Sequence, residues 1–295
     1  MSLTAHYLSM IFVNVMWGLS FIASKYALNV GFTPMTLALC RYILTAAVLV
    51  PALLVKEKRM RLEKRDIGLM FLSGLLGITL YYFFEYQGIR RTSAVNASLI
   101  LAAIPVLTLL TDCVIMRTKL KPRQAAGSLL SVAGVYCVVR YGGGAEETSL
   151  VGDLLVVGAA LVWVGYIFVS RKLRSRYSSL SMNAWQAVTS LVTLIPLSLL
   201  ETGEWRPIPP GGFLAMAALA LICSALCYFL YGNSLQHLSP VAISIFINLI
   251  PLVTILGGVA FLQEKVTPLQ LFGGAMIICS ILLVNLPQKR AEEAK

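Results

Sequence analysis

Apolar runs long enough to cross a bilayer recur along this 295-residue chain, and they constrain its fold more than any other feature. A spanning helix needs about 20 mostly apolar residues. Such runs lie near residues 4–28, 34–55, 67–88, 94–116, 122–140, 150–172, 180–200, 212–235, 240–262 and 268–286, each closed by charges, Gly, Pro or a polar cluster. They are apolar all round and lack the alternation of a barrel with a polar lumen, so strands are a poor reading. The expected fold is an all-α integral membrane protein with ten transmembrane helices. Composition agrees, with 58% hydrophobic and 13% charged residues, against about 25% charged in a soluble domain. The same balance excludes disorder and a secreted disulfide scaffold. The first run has no basic leader or small-residue cleavage site and is too long for a signal core, so it is expected to be a retained helix.

Net charge is +11, and its distribution matters more than its size. When the loops are assigned alternately to two sides, the side holding both termini carries seventeen of the 24 Lys and Arg residues, from Lys56 to Arg65, Arg117 to Arg123, Arg171 to Arg176, and Lys289, Arg290 and Lys295. Cytoplasmic loops collect such residues, so both termini are expected in the cytoplasm of a multi-pass protein of a bacterial inner membrane. Membrane lipids account for the positive charge, and nucleic acid has neither a motif nor a need. A small-molecule substrate is the other expected partner, with the chain a monomer or homodimer.

The chain is also written twice. An offset of 146 residues superposes Trp17 on Trp163, Tyr82 on Tyr228, Ser93 on Ser239, Pro105 on Pro251, Lys119 on Lys265, Pro122 on Pro268 and Gly127 on Gly273. One offset held over so long a stretch signals duplication. Five helices per copy is an odd number, so the second copy enters the membrane from the opposite face. The expected domains are a first five-helix repeat over 1–141, a linker over 142–149 and an inverted repeat over 150–295. Inverted repeats are the signature of alternating-access transporters that hold substrate near the midplane.

Several motifs carry a resemblance. They are Arg41-Tyr42, the run Tyr82 to Arg91 followed by Thr92-Ser93-Ala94, Ile104-Pro105-Val106, Pro122-x-Gln124-x-x-Gly127, and in the second half Leu238-Ser239-Pro240, Gln263-Glu264-Lys265 and Pro268-x-Gln270-x-x-Gly273. Together they resemble the EamA family of the drug/metabolite transporter superfamily. The resemblance implies ten helices in two inverted repeats, no ATP hydrolysis, and movement of amino acids, metabolites or drugs, often outward. One departure is visible: the family commonly has Gly-Glu at the end of the fourth helix, where this chain has Arg117-Thr118.

Glu85 and Arg41 are the ionisable residues most clearly inside apolar runs, where a charge costs a few kcal/mol unless paired or wet. At 1.5 Å per residue both lie toward the same surface, which allows them to meet, as a structural ion pair locking the second and third helices or as an outer gate or proton-sensitive latch. Asp112, with Arg117 one to two turns away, reads as interfacial. Trp17 and Trp163 sit about 20 Å into their helices, deeper than the aromatic belts. Tyr82, Glu85 and Tyr86 share one helical face, as Tyr228 and Tyr231 do in the matching helix, and suit either a substrate pocket or ordinary ring packing. Asn14, Asn96 and Asn248 are candidate substrate contacts or interhelical glue. Pro105 and Pro251 lie mid-run, where each removes a backbone hydrogen bond and marks a kink that either shapes the bundle or serves as a pivot. The recurring glycines read as close-packing positions.

His6 and His237 are too few and too far apart in sequence for a metal or catalytic constellation, and the six cysteines read as buried thiols. Scattered hydroxyls make no convergent nucleophile and base, so neither enzyme nor cofactor chemistry is expected. The functional expectation is a secondary transporter or facilitator exporting small amphipathic metabolites, foremost amino acids with apolar or aromatic side chains. The rival is a carrier of organic or quaternary ammonium cations or drugs, with tyrosines around the charge and Glu85 as counter-ion.

Overall fold

The structure, a computed structural model, describes residues 3–58, 60–117, 119–141, 149–234, 237–238 and 246–285. Helices account for its regular structure, and no strand occurs among these residues. In chain order they are α1 (Leu3–Asn29), α2 (Pro34–Glu57), α3 (Lys64–Arg91), α4 (Ala94–Met116), α5 (Pro122–Tyr141), α6 (Leu150–Arg174), α7 (Ser179–Leu199), α8 (Pro210–Ser234), α9 (Leu249–Phe261) and α10 (Pro268–Asn285). Local chemistry sets the ends. Proline opens α2, α5, α8 and α10, where its missing N–H costs nothing. Ser93, Ser149 and Ser178 cap α4, α6 and α7 by accepting from a backbone N–H three residues on.

Six helices are long and apolar enough to cross a membrane: α1, α2, α3, α4, α6 and α8. α9 and α10 are shorter apolar helices. The remaining two, α5 and α7, are 20 and 21 residues long but more polar. Their polarity is turned inward, since Ser128 and Ser131 of α5 and Ser181, Gln186, Ser190 and Ser198 of α7 are buried. Large apolar side chains such as Val114, Leu129, Leu214 and Leu256 face outward instead, the reverse of a soluble protein and the expectation for lipid contact.

Packing pairs distant parts of the chain. The main contacts are α2 on α7, α5 on α10, α1 on α8 and α9, and α6 on α3 and α4. Where α5 crosses α10, a Cβ on Gly127 would lie 3.2 Å from the Ser280 carbonyl, and one on Gly273 would lie 2.8 Å from that of Gly134. The glycines let the two backbones touch.

Irregular backbone recurs at the 146-residue offset. α3 loosens into a π-helical segment at Leu75–Leu80, and α8 does so at Leu219–Leu226. Arg117 after α4 and Gln263 after α9 are both left-handed, at φ 52° and 56°, a conformation that costs a non-glycine residue about 1–2 kcal/mol. α4 breaks at Ala102–Ala103, and α9 begins only after a turn at Asn248. This corrects the simple kink expected at Pro105. The helix is interrupted before the proline, which then sits in the first turn of Ile104–Met116, where a backbone N–H has no helical partner to lose.

The two ends of the bundle are tied differently. At the end rich in Lys and Arg, Arg176 pairs with Asp66 (2.6 Å), Tyr177 donates to Asp66 (2.9 Å), and Arg171 grips Asp112 with both terminal nitrogens (2.6 and 2.7 Å). The partner of Asp112 is therefore Arg171 of α6 and not Arg117, whose left-handed backbone ends the helix. Burial and the Asp66 carboxylate hold the Tyr177 phenol above its usual range. At the other end Glu201 accepts from the first N–H groups of α2 (2.9 and 3.2 Å), and Arg90 pairs with Glu204 (2.7 Å).

Candidate functional site

A narrow cavity of about 20 Å³ lies between α2, α3, α6, α7 and α8. Its wall is made by Tyr42, Thr45, Trp163, Tyr166, Asn183, Gln186 and Tyr228, with Gly77 and the aliphatic Leu49 and Ile78. That volume holds a water or two and no metabolite, so an occupant requires the helices to part. Gly77 is required where it stands: a Cβ there would meet the Tyr166 ring at 2.5 Å. It belongs to the π-helical segment of α3, an irregularity common at functional sites.

Rings continue from the wall toward the end of the bundle that holds Glu201. Tyr42 packs on Tyr82 (centroids 5.5 Å), and Tyr82 on Tyr86 (4.9 Å) and Tyr81 (5.1 Å). Trp163 packs on Tyr81 and Tyr166, both at 4.8 Å. On the other flank Trp17 contacts Tyr228 (5.7 Å) and Tyr231 (5.1 Å), and its indole donates to the Cys223 carbonyl (3.1 Å). Of the aromatic candidates, Trp163 and Tyr228 thus line the cavity, while Trp17, Tyr82 and Tyr86 back that wall.

Arg41 is buried, at 4% exposure, yet no carboxylate among the described residues lies within 4 Å of it. Its Nε donates to Ser224 Oγ and its Nη1 to Tyr86 Oη, each at 2.8 Å, and its guanidinium lies 4.8 Å over the Tyr82 ring. Glu85, at 7% exposure, accepts from Tyr81 Oη at 3.0 Å. The direct ion pair that their common depth allows is not formed. Helical rise gives depth, but the direction around the axis turns the two side chains to different hydroxyls.

Asn96 belongs elsewhere. It donates to Asp153 (3.2 Å) and accepts from Gln270 (2.6 Å), while Thr92 Oγ1 donates to Asp153 (2.6 Å). This buried network ties α4, α6 and α10. Beside it Glu264 accepts from the backbone N–H groups of Ala94 (2.7 Å) and Val95 (3.0 Å), a carboxylate on the positive end of α4. Thus the acidic residue kept in the second half acts as a cap for the first. Asn14 donates to Met10 of its own helix (2.7 Å), and Asn248 forms the turn before α9. Pro105 and Pro251 stand at the starts of helices, outside the cavity.

His6 and His237, far apart in sequence, stack with ring centroids 4.2 Å apart and planes within 12°. The fold thus overcomes the sequence separation and stacks the two rings face to face. No cluster of metal ligands occurs among the described residues.

Thr45, Tyr166, Asn183 and Gln186 of the wall, and Tyr81 and Ser224 behind it, were not singled out by the sequence. Asn183 and Gln186, three residues apart in an otherwise apolar helix, were the available signal, because amides in such a setting need partners.

A helical bundle with a lipid-compatible exterior, enclosing rings, amides and buried charges, has the architecture of a membrane carrier. The EamA-like transporter family matches residues 4–140 and again 150–286, and the chain belongs to it. It is a transporter and not an enzyme. An uncharacterized transporter of Archaeoglobus fulgidus is 26% identical over 278 residues, covering 93% of this chain and 95% of its own. A probable terminal-alkyne amino-acid exporter of Streptantibioticus cattleyicolor is 27% identical over 278 residues, covering 94% and 92%. A solved crystal structure aligns over 96% of this chain and 97% of its own, with a TM-score of 0.64 at 19% identity, a likeness of fold alone.

Proposed function

We propose that the chain is a secondary transporter or facilitator that exports small amphipathic metabolites, foremost amino acids with apolar or aromatic side chains. Two inverted five-helix repeats, 1–141 and 150–295, rock about the cavity, with both termini in the cytoplasm. The observation that carries the substrate class is the wall itself: four rings supply apolar faces, and Thr45, Asn183 and Gln186 supply polar contacts for one end of a ligand. The exporter named for terminal-alkyne amino acids supports the same class.

Support for the inverted repeats comes from matched π-helical segments, left-handed residues and helix breaks at one offset, and from two successive matches to one family. The excess of Lys and Arg at the termini side supports the orientation. Glu85, one tyrosine removed from the wall, favours the second reading, a carrier of organic cations.

Flux in proteoliposomes decides between them. Radiolabelled phenylalanine and leucine are expected to move down their gradients through the reconstituted protein, and tetraethylammonium is not. Tetraethylammonium flux without amino-acid flux overturns the first reading in favour of the second.

A further inference from the structure

Arg41 and Glu85 present an unusual combination. Two buried opposite charges lie on neighbouring helices, yet do not come within ion-pair distance. In a low-dielectric interior such charges gain most by direct contact. Here neutral groups hold them apart: Ser224, Tyr86 and the Tyr82 ring for Arg41, and Tyr81 for Glu85. Neither charge is saturated. Among the described residues the Nη2 donors of Arg41 and the Oε2 acceptor of Glu85 have no hydrogen-bond partner. Each charge is joined to the cavity wall through a ring: Tyr82 contacts both Arg41 and Tyr42, and Tyr81 contacts both Glu85 and Trp163.

We propose that Arg41 and Glu85 are the two poles of a zwitterion-binding site. The substrate carboxylate takes the free donors of Arg41, the ammonium takes Glu85, and the apolar side chain rests among the wall rings. Tyr81 and Tyr82 turn aside to admit the ligand, which enlarges a cavity otherwise too small for it. The inference rests on the amino-acid reading and sharpens it: a ligand bearing one charge fills one pole and leaves the other buried and unpaired, which is costly.

The test compares three probes of one shape on the purified wild-type protein: phenylalanine with both charges, 3-phenylpropionate with the carboxylate alone and phenethylamine with the ammonium alone. Phenylalanine is expected to bind about tenfold or more tighter than either analogue. Arg41→Gln is expected to remove that advantage over phenethylamine, and Glu85→Gln the advantage over 3-phenylpropionate, in variants that elute as the wild type does on size exclusion. Equal binding of phenylalanine and either analogue overturns the clamp even if the variants fail to fold, because that comparison needs none. Amino-acid flux in proteoliposomes with such equal binding refutes the clamp alone. Absence of both binding and flux for phenylalanine and leucine overturns the clamp and the amino-acid reading together.

Discussion

Residues 81–86 of α3 and 227–232 of α8 each leave a π-helical segment for an α-helix, but one reads Tyr-Tyr-Phe-Phe-Glu-Tyr and the other Cys-Tyr-Phe-Leu-Tyr-Gly. The backbone matches and the ionisable chemistry does not. The same holds for Arg41, whose counterpart at the offset is Ala187. Under the proposed rocking mechanism, backbone irregularities serve a motion common to both halves and recur in both. A ligand held in one orientation needs its charged contacts only once. The rings are intermediate: Trp17 and Trp163 are both kept, yet Trp163 lines the cavity while Trp17 packs behind Tyr228.

The comparison breaks first at the aromatic pairs. Trp163→Ala and Tyr82→Ala are expected to lower transport severely, by tenfold or more, since a truncated ring removes area that few other contacts replace. Trp17→Ala, behind the wall, is expected to cost less than Trp163→Ala in the same flux assay. Equal activity in all three variants returns these rings to simple packing.

A smaller effect is expected at the proline pair. Pro105→Ala and Pro251→Ala are expected to slow transport several-fold while leaving substrate affinity within a few-fold, because each sits beside a helix break and away from the cavity. Rates measured with affinities separate the two effects. Wild-type rates in both variants make the breaks matters of shape.

Much of the fold was legible because hydropathy and proline placement act locally. The starts of α2, α4, α5 and α10 fall where the sequence places them, at Pro34, Ala94, Pro122 and Pro268. The polar site was less legible. Depth along an axis is countable, but the direction of a side chain depends on π-segments and crossings, which is why Arg41 turns to Ser224 and Tyr86 and not to Glu85. Asn96 shows the same limit: an amide in an apolar helix needs a partner, and only the packed α6 and α10 reveal Asp153 and Gln270 as those partners. Asn183 and Gln186 carry no repeat signal, because Leu37 and Cys40 stand at their counterparts in the first half.

Alternating access about the cavity is the central claim, and accessibility of its wall tests it most directly. A cysteine placed at Asn183, in a chain stripped of its six native cysteines, is to be probed in oriented proteoliposomes with an impermeant thiol reagent added to one side at a time. Labelling is expected from the Lys- and Arg-rich side without ligand, and saturating phenylalanine on that side is expected to reduce it while raising labelling from the opposite side. Labelling from both sides at once, unchanged by phenylalanine, contradicts the account and describes an open pore.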